Sequence, residues 1–381
     1  MVPNYTYYLP ALLMIVLAPT IIFISRKFRL LDHPGQRKIH IHYISRLGGV
    51  ALFLSIWLSV LFLTSQGLIS LKSSFWSSIF FGSLAAFMLG LWDDLKNISA
   101  KKKLAFQIGL AFLAYNLGFR IDEIELGLGH SVHFGEASWL ITVLWIVTVM
   151  NAFNMIDGLD GLAGGFAFLI FLTLSILGYV NGIENVMMLS IVCASTCLGF
   201  LLFNFHPAKL FMGDCGSMML GFILSILTLL SGKEDVIPNV LTPFFLLAFP
   251  LIDLLTAVTR RMIHAKTTNK NISYLGIIKR TFDADGNHIH HRLLKLGFSQ
   301  RNICYFVYGF TILSCLLGLV AIYFSFGLVF FLFIFYVWFT VQCIRLLDYE
   351  EFMTGEYRKQ KKDSEEKQKL STAPSLIKKV L

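Results

Sequence analysis

The sequence predicts an all-α polytopic integral membrane protein with about eleven transmembrane helices. Its 381 residues are 56% hydrophobic and only 14% charged, with a mean hydropathy of +0.70, which excludes an ordinary soluble domain. Apolar runs near the ~20 residues needed to cross a bilayer recur along the chain. Of the 32 Lys and Arg, 29 fall on one side of the membrane once these runs are threaded through it.

The runs are 6–25, 47–65, 74–92, 104–119, 138–153, 162–180, 185–203, 216–231, 239–259, 303–323 and 325–344. The first has neither a basic leader nor a small-residue cleavage site and reads as a retained helix. Basic residues crowd 26–46, 93–103, 260–303 and the tail, whereas Lys72, Arg120 and Lys233 stand alone on the opposite side. Cytoplasmic loops carry the excess of Lys and Arg, so the amino terminus is expected outside and the carboxyl terminus in the cytoplasm. The net charge of +9 is then mainly a topological signal, with some attraction for anionic headgroups; no nucleic-acid partner is expected. The six cysteines (193, 197, 215, 304, 315 and 343) lie in or at the ends of spans, which argues against a disulfide framework.

The fifth run leads into Asn151-Ala-Phe-Asn154-Met-Ile-Asp157-Gly-Leu-Asp160-Gly161. Asn154 and Asp157, or Asp157 and Asp160, stand one helical turn apart and can face one ligand. All four polar residues cannot share a face of a straight helix, because a step of three drifts about 60° per repeat. Gly158, Gly161, Gly164 and Gly165 predict that the helix end is broken or tightened, with backbone close to something bound. Two acids with amides beside them suit a hard cation and its phosphate ligand. The plainer alternative is a membrane-edge loop whose acids cap the next helix.

Four further segments have similar chemistry. The first basic loop combines Asp32, Arg37, Lys38, His40 and His42 with Arg46 and the Gly48-Gly49 pair, a dense set of donors suited to a lipid phosphate. The third span ends in Asp93-Asp94, followed by Lys96 and Lys101-Lys102-Lys103; adjacent acids next to hydrocarbon need a compensating cation. The segment Phe203-Asn204-Phe-His-Pro207 stops a helix, and Gly213-Asp214-Cys-Gly216-Ser217 sets Asp214 just before the next, where N–H groups can help hold a phosphate. Phe211 offers a face for a base. The loop 260–303 holds Asp283, Asp285, His288, His290, His291 and Arg292. Its histidines invite a zinc reading, but without cysteines or a second ligand cluster, and beside Arg292, they suit an anionic leaving group better. The external loop 120–137 hints at a short hairpin in 121–126 and 132–134, and the Lys/Glu-rich tail from Arg345 has too few apolar residues for a core.

The acid clusters 93/94, 157/160, 214 and 283/285 all fall on the cytoplasmic side of a topology derived from Lys and Arg alone. Independent helix caps have no reason to avoid the outer face. A secondary transporter is the alternative, but it would place acids near mid-span, where Asp253 is the exception here. A boundary site suits a reaction between a lipid-borne phosphate and a soluble phosphate ester with Mg²⁺ between them.

Five blocks in order carry a resemblance to the polyprenyl-phosphate N-acetylhexosamine-1-phosphate transferases, from about Asp32 to Arg301. They are Asp32 with Arg37-Lys38-x-His40 and Arg46-x-Gly-Gly; Asp93-Asp94; Asn151 to Gly161; Phe203 to Gly221; and Asn287 to Arg292. The resemblance implies a transmembrane catalytic domain over 1–344, with cytoplasmic active-site loops at 26–46, 93–103, 154–161, 204–217 and 260–303, and a charged tail over 345–381. It implies attack of undecaprenyl phosphate on the β-phosphorus of a UDP-sugar, with release of UMP, in a bacterial inner membrane. It further implies Asp214 and Asp157 at Mg²⁺, for which Mn²⁺ can substitute, with Asp93, Asp94, Asp157 and Asp160 as catalytic acids. Asn154, Asn204, Phe211, His288, His290, His291 and Arg292 would bind the nucleotide sugar, and Lys38, Lys101, Lys102 and Lys103 the lipid phosphate. A general-base role for Asp94 is an expectation of the same kind. The histidine block resembles the branch that uses UDP-GlcNAc for O-antigen, common antigen or teichoic acid linkage; GalNAc, FucNAc and QuiNAc nucleotides are alternative donors. A homodimer is compatible with the sequence but not required by it.

Overall fold

The computed structural model describes residues 5–32, 43–71, 73–125, 131–231, 241–268, 288–321, 323–324 and 326–345, and side chains at 125, 264–268 and 343–345 are left aside. Lys38, Asp283, Asp285 and the tail beyond Arg345 lie outside the described residues. Long helices dominate: α1 (Tyr5–Lys27), α2 (Gly48–Ser65), α3 (Ser74–Lys96), α4 (Ala100–Asn116), α5 (Ser138–Ile156), α6 (Leu162–Val180), α7 (Glu184–Asn204) and α8 (Gly213–Leu230). Then come the short α9 (Thr242–Leu246), α10 (Ala248–Thr268), a second short helix α11 (Ile289–Lys295), α12 (Gln300–Val320) and α13 (Phe326–Arg345).

The described parts of the eleven apolar runs lie mostly on helix, and among the described residues eight helices are long and apolar enough to cross a membrane. Three differ from the expected spans for physical reasons. The seventeen residues of α4 include three lysines directly after Ala100, Arg260 and Arg261 lower the hydropathy of α10, and the apolar part of α13 is the shorter Phe326–Gln342. The run 239–259 is not one helix. Pro250 has no N–H to donate to the carbonyl of Leu246, four residues back, and its ring crowds that carbonyl; α9 ends at that residue.

At the centre stands α8, packed on α2, α3 and α5. All fourteen residues from Cys215 to Thr228 are buried, as expected of a helix apolar on every side. Glycines let its backbone approach the neighbouring helices, a common device where lipid supplies no hydrophobic driving force. A Cβ at Gly49 would lie 2.2 Å from the Gly216 nitrogen, and one at Gly90 would lie 2.1 Å from the Asp214 oxygen. Gly164 and Gly165, expected in broken backbone, fall inside α6, where they make room for Phe200 and Tyr308. Large exposed apolar side chains cover the outer faces of α1, α12 and α13, the surface lipid would meet.

The hairpin expected in 120–137 is present as β3 (Glu123–Glu125) paired antiparallel with β4 (Ser131–His133). A second pair, not anticipated, joins β1 (Leu31–Asp32) to β2 (Ile44–Ser45). Ser45 also bridges in parallel to Leu210, and the Phe211 nitrogen donates to its carbonyl at 2.8 Å. These bonds lay the end of the first basic loop against the segment that enters α8.

Candidate active site

The N-terminus of α8 is the centre of the site. Gly213 turns the chain with φ of +72°, and the helix begins there, so Asp214 sits in its first turn rather than ahead of it. The early start has a cause on α3. The Asp94 carboxylate accepts from the backbone N–H groups of Asp214 and Cys215, each at 2.9 Å. Those are two of the donors a helix start leaves unmet, and the negative charge also suits the helix dipole.

Beside it, Lys103 of α4 forms ion pairs with Asp93 and, at 2.9 Å, with Asp214. The other oxygen of Asp93 accepts from the Ile98 N–H at 2.7 Å, closing the turn between α3 and α4. Three successive lysines point in three directions around a helix, and only Lys103 turns inward; Lys101 and Lys102 are exposed and are not brought to the acids.

Asp157 follows directly on α5 and is half-buried. Burial, then the like charges of Asp214 and Asp94, push its carboxyl up to about 8, while Arg46 pulls the other way. One turn earlier Asn154 accepts from the Ser217 hydroxyl at 2.5 Å, tying α5 to α8. Asp160 also braces a neighbouring loop. One of its oxygens accepts from the Ala208 N–H at 3.1 Å and contacts His206 Nδ1 at 2.8 Å. Asn204 completes this wall, accepting from the Gly161 N–H at 3.1 Å and donating to the Leu210 carbonyl at 3.0 Å. The Tyr308 hydroxyl donates to the Gly161 carbonyl at 2.6 Å. Asp160 and Asn204 thus hold together the two loops, 157–161 and 205–212, on either side of the site.

The histidine block separates into two kinds of residue. His288 and His290 are buried behind the site, and burial drives the His290 ring down to about 3. His290, expected at the nucleotide sugar, is therefore not on the cavity wall. His291 is different: it reaches the cavity. Arg292 lies in the same short helix but not on the cavity wall. No group of three or more His, Cys, Asp or Glu side chains suited to a metal occurs among the described residues.

These elements enclose a cavity of about 240 Å³ lined by Asp32, Arg46, Asp94, Asp157, Asp160 and Asp214 together with Gly158, Asn204, Phe211, His291 and Gln300, among others. That volume is below the ~300–1,000 Å³ typical of pockets that enclose a whole ligand, so it suits the phosphates of a larger substrate. Arg46 brings positive charge, paired with Asp32 at 3.0 Å. Asp157 and Asp214 supply hard oxygen donors. Mg²⁺ keeps several waters and needs only one or two carboxylates, so the donor set fits that ion. Of the residues expected at the site, Asp94, Asp157, Asp160, Asn204, Phe211, Asp214 and His291 meet on the wall. Asp93, Asn154 and Lys103 stand directly behind it.

Some residues that shape the site carried little signal in the sequence. Asp253, noticed only as an acid out of place in a span, accepts from the Ile289 N–H at 2.8 Å and lies 3.1 Å from His288 Nδ1. Gln300 opens α12 without any motif. His206 is joined to Pro207 by a cis peptide bond.

The fold and site define a class: a multi-pass helical membrane protein with an acid-lined cavity where its helices end. Residues 76–232 match glycosyl transferase family 4, a stretch that runs from α3 through α8 and contains Asp93, Asp94, Asp157, Asp160 and Asp214. A probable undecaprenyl-phosphate N-acetylglucosaminyl 1-phosphate transferase of Bacillus subtilis is 32% identical over 330 residues, covering 85% of this chain and 87% of its own. A decaprenyl-phosphate N-acetylglucosaminephosphotransferase of Mycobacterium leprae is 30% identical over 313 residues, 75% of each chain. An undecaprenyl-phosphate alpha-N-acetylglucosaminyl 1-phosphate transferase of Yersinia pestis is 28% identical over 318 residues, 79% of this chain and 80% of its own. The chain belongs to glycosyl transferase family 4.

Proposed function

We propose that this protein transfers N-acetylglucosamine-1-phosphate from UDP-GlcNAc to undecaprenyl phosphate and releases UMP. In this reading the eleven spans run from an external amino terminus to a cytoplasmic carboxyl terminus in a bacterial inner membrane. The site opens to the cytoplasm, and the product begins a cell-envelope polysaccharide of O-antigen, common-antigen or teichoic-acid type. The names of the relatives support the substrates. The observation that carries the reading is the meeting of Asp94, Asp157, Asp160 and Asp214, drawn from separate parts of the chain, on one phosphate-sized cavity, with Lys103 bound to Asp214 behind it.

An oxygen of the lipid phosphate attacks the β-phosphorus of the nucleotide sugar; the bond to the bridging oxygen breaks, and that oxygen leaves with UMP. A phosphate monoester with a second pKa near 6 is already mostly ionised at neutral pH, so the chemistry rests chiefly on positioning and charge neutralisation. Asp157 and Asp214 would hold Mg²⁺ or Mn²⁺, which when bound would neutralise charge on the diphosphate. Lys103, paired with Asp93 and Asp214, would turn to the acceptor phosphate when it binds, and Lys38 would add to it from the first loop. Phe211 offers its ring to the uracil, Asn204 fixes the wall on which the nucleotide would rest, and His291 faces the same space. Asp94 holds the start of α8, and with it Asp214, in place.

The test is turnover by the detergent-purified chain with undecaprenyl phosphate, Mg²⁺ and a panel of UDP-N-acetyl sugars. UMP release and a lipid-linked sugar with UDP-GlcNAc are expected. Turnover with a GalNAc, FucNAc or QuiNAc nucleotide alone would keep the chemistry and change the donor. Silence with every donor would favour a transporter.

A further inference from the structure

The buried part of the histidine block has a geometry that ligand binding does not explain. His290 is fully buried, and among the described residues neither ring nitrogen has a hydrogen-bond partner. Its ring lies against Gly158, in the loop between Asp157 and Asp160: a Cβ at Gly158 would fall 2.4 Å from Nε2 and 3.2 Å from Cε1. Gly158 does not have a left-handed backbone. The glycine is therefore required by the space the imidazole occupies and not by its own conformation, unlike Gly161, whose φ is +84°.

The ring is held from behind. Asp253 of α10, 1% exposed, accepts from the Ile289 N–H at 2.8 Å and lies 3.1 Å from His288 Nδ1. It thereby fixes both residues that precede His290. His288 and His290 lie nearly parallel, with ring centroids 5.8 Å apart.

We propose that Asp253, acting through His288, Ile289 and His290, is a positioning device that presses the His290 ring against Gly158 and sets the loop carrying Asp157 and Asp160. His291 faces ligand; His288 and His290 do not. The consequence for catalysis rests on the transfer reaction proposed above, whereas the contact itself does not.

The experiment is a cycle of four full-length proteins: wild type, Gly158→Ala, His290→Ala and the double variant. Apparent Tm, kcat and KM for the nucleotide sugar are measured for each. A misplacement of about 1 Å can cost on the order of 100-fold, so Gly158→Ala is expected to lower kcat by about 30-fold or more. Adding His290→Ala removes the obstruction, and the double variant should match His290→Ala alone rather than the product of both losses. Apparent Tm should show the same non-additivity. Asp253→Asn keeps an acceptor for Ile289 but loses the charge facing His288; kcat should fall roughly 10-fold with KM within about threefold. Multiplying losses in the cycle, or a KM increase above about 10-fold with kcat kept in His290→Ala, would overturn the proposal and make His290 a donor ligand. If wild type turns over no nucleotide sugar, the functional reading falls, and the Tm cycle alone decides whether the contact exists.

Discussion

Asp94→Asn separates a chemical role from an architectural one. The carboxylate oxygens of Asp94 each accept one backbone N–H, from Asp214 and Cys215, both at 2.9 Å. Asparagine has nearly the same shape but only one acceptor oxygen; its amide nitrogen would point a donor at a donor. One N–H of the first turn of α8 is left unmet, at a cost of about 1–3 kcal/mol. Loss of the charge at the helix start adds roughly 0.3–1 kcal/mol. The combined effect, on the order of 1.3–4 kcal/mol, should lower the apparent Tm by several degrees. Turnover should fall as well, at every pH, because Asp214 is no longer held. The assay is thermal unfolding in detergent beside a pH series of UMP release. An unchanged Tm with lost activity would refute the capping role and leave a purely chemical one. Near-normal turnover across pH would eliminate the general-base expectation.

Other outcomes follow from the same geometry. Lys103→Met should reduce turnover by about 100-fold or more, through loss of charge neutralisation and positioning, whereas Lys101→Met and Lys102→Met should change it less than about threefold; equal effects in a UMP assay would contradict the inward orientation of Lys103 alone. Asp157 has a raised pKa, near 8 in the folded chain against an ordinary value of 3.8. The native state therefore holds a proton that the unfolded state has lost, and stability without divalent ions should fall as pH rises from about 4 to 8. Asp157→Asn should flatten that slope, and Mg²⁺ should counter it in the parent protein, as read by melting with chelator or with ion. Gly90→Ala would drive a methyl into the Asp214 carbonyl, and both activity and expression of folded protein should drop sharply in size-exclusion profiles.

The helical framework was legible because a bilayer constrains it so strongly: the described residues of the expected apolar runs are mostly helical. Its interruptions were harder to place. Pro250 marks the break between α9 and α10, but 239–259 is apolar throughout and reads as continuous. The acids of the site were visible as pairs at the ends of spans, and most of them meet. Their partners were not visible. Lys103 and Lys101 look alike in the sequence, and only the rotation of α4 tells them apart. Asp253 and His288 lie far apart in the chain, so neither predicts the other, and three nearby histidines suggested a shared anionic ligand. Burial separated them, placing His290 against Gly158 and His291 on the cavity. Gly164 and Gly165 gave a false cue: glycine in a membrane helix can signal close packing as readily as broken backbone.

The most direct measurement is single-turnover chemistry by purified protein reconstituted with undecaprenyl phosphate, comparing wild type with Asp214→Ala. Wild type with UDP-GlcNAc and Mg²⁺ should release one UMP for each lipid diphosphosugar formed, chelation should stop both, and Asp214→Ala should form neither while remaining folded. Equal product from Asp214→Ala, or UMP release without a lipid-linked sugar, would contradict a phosphosugar transfer centred on the first turn of α8.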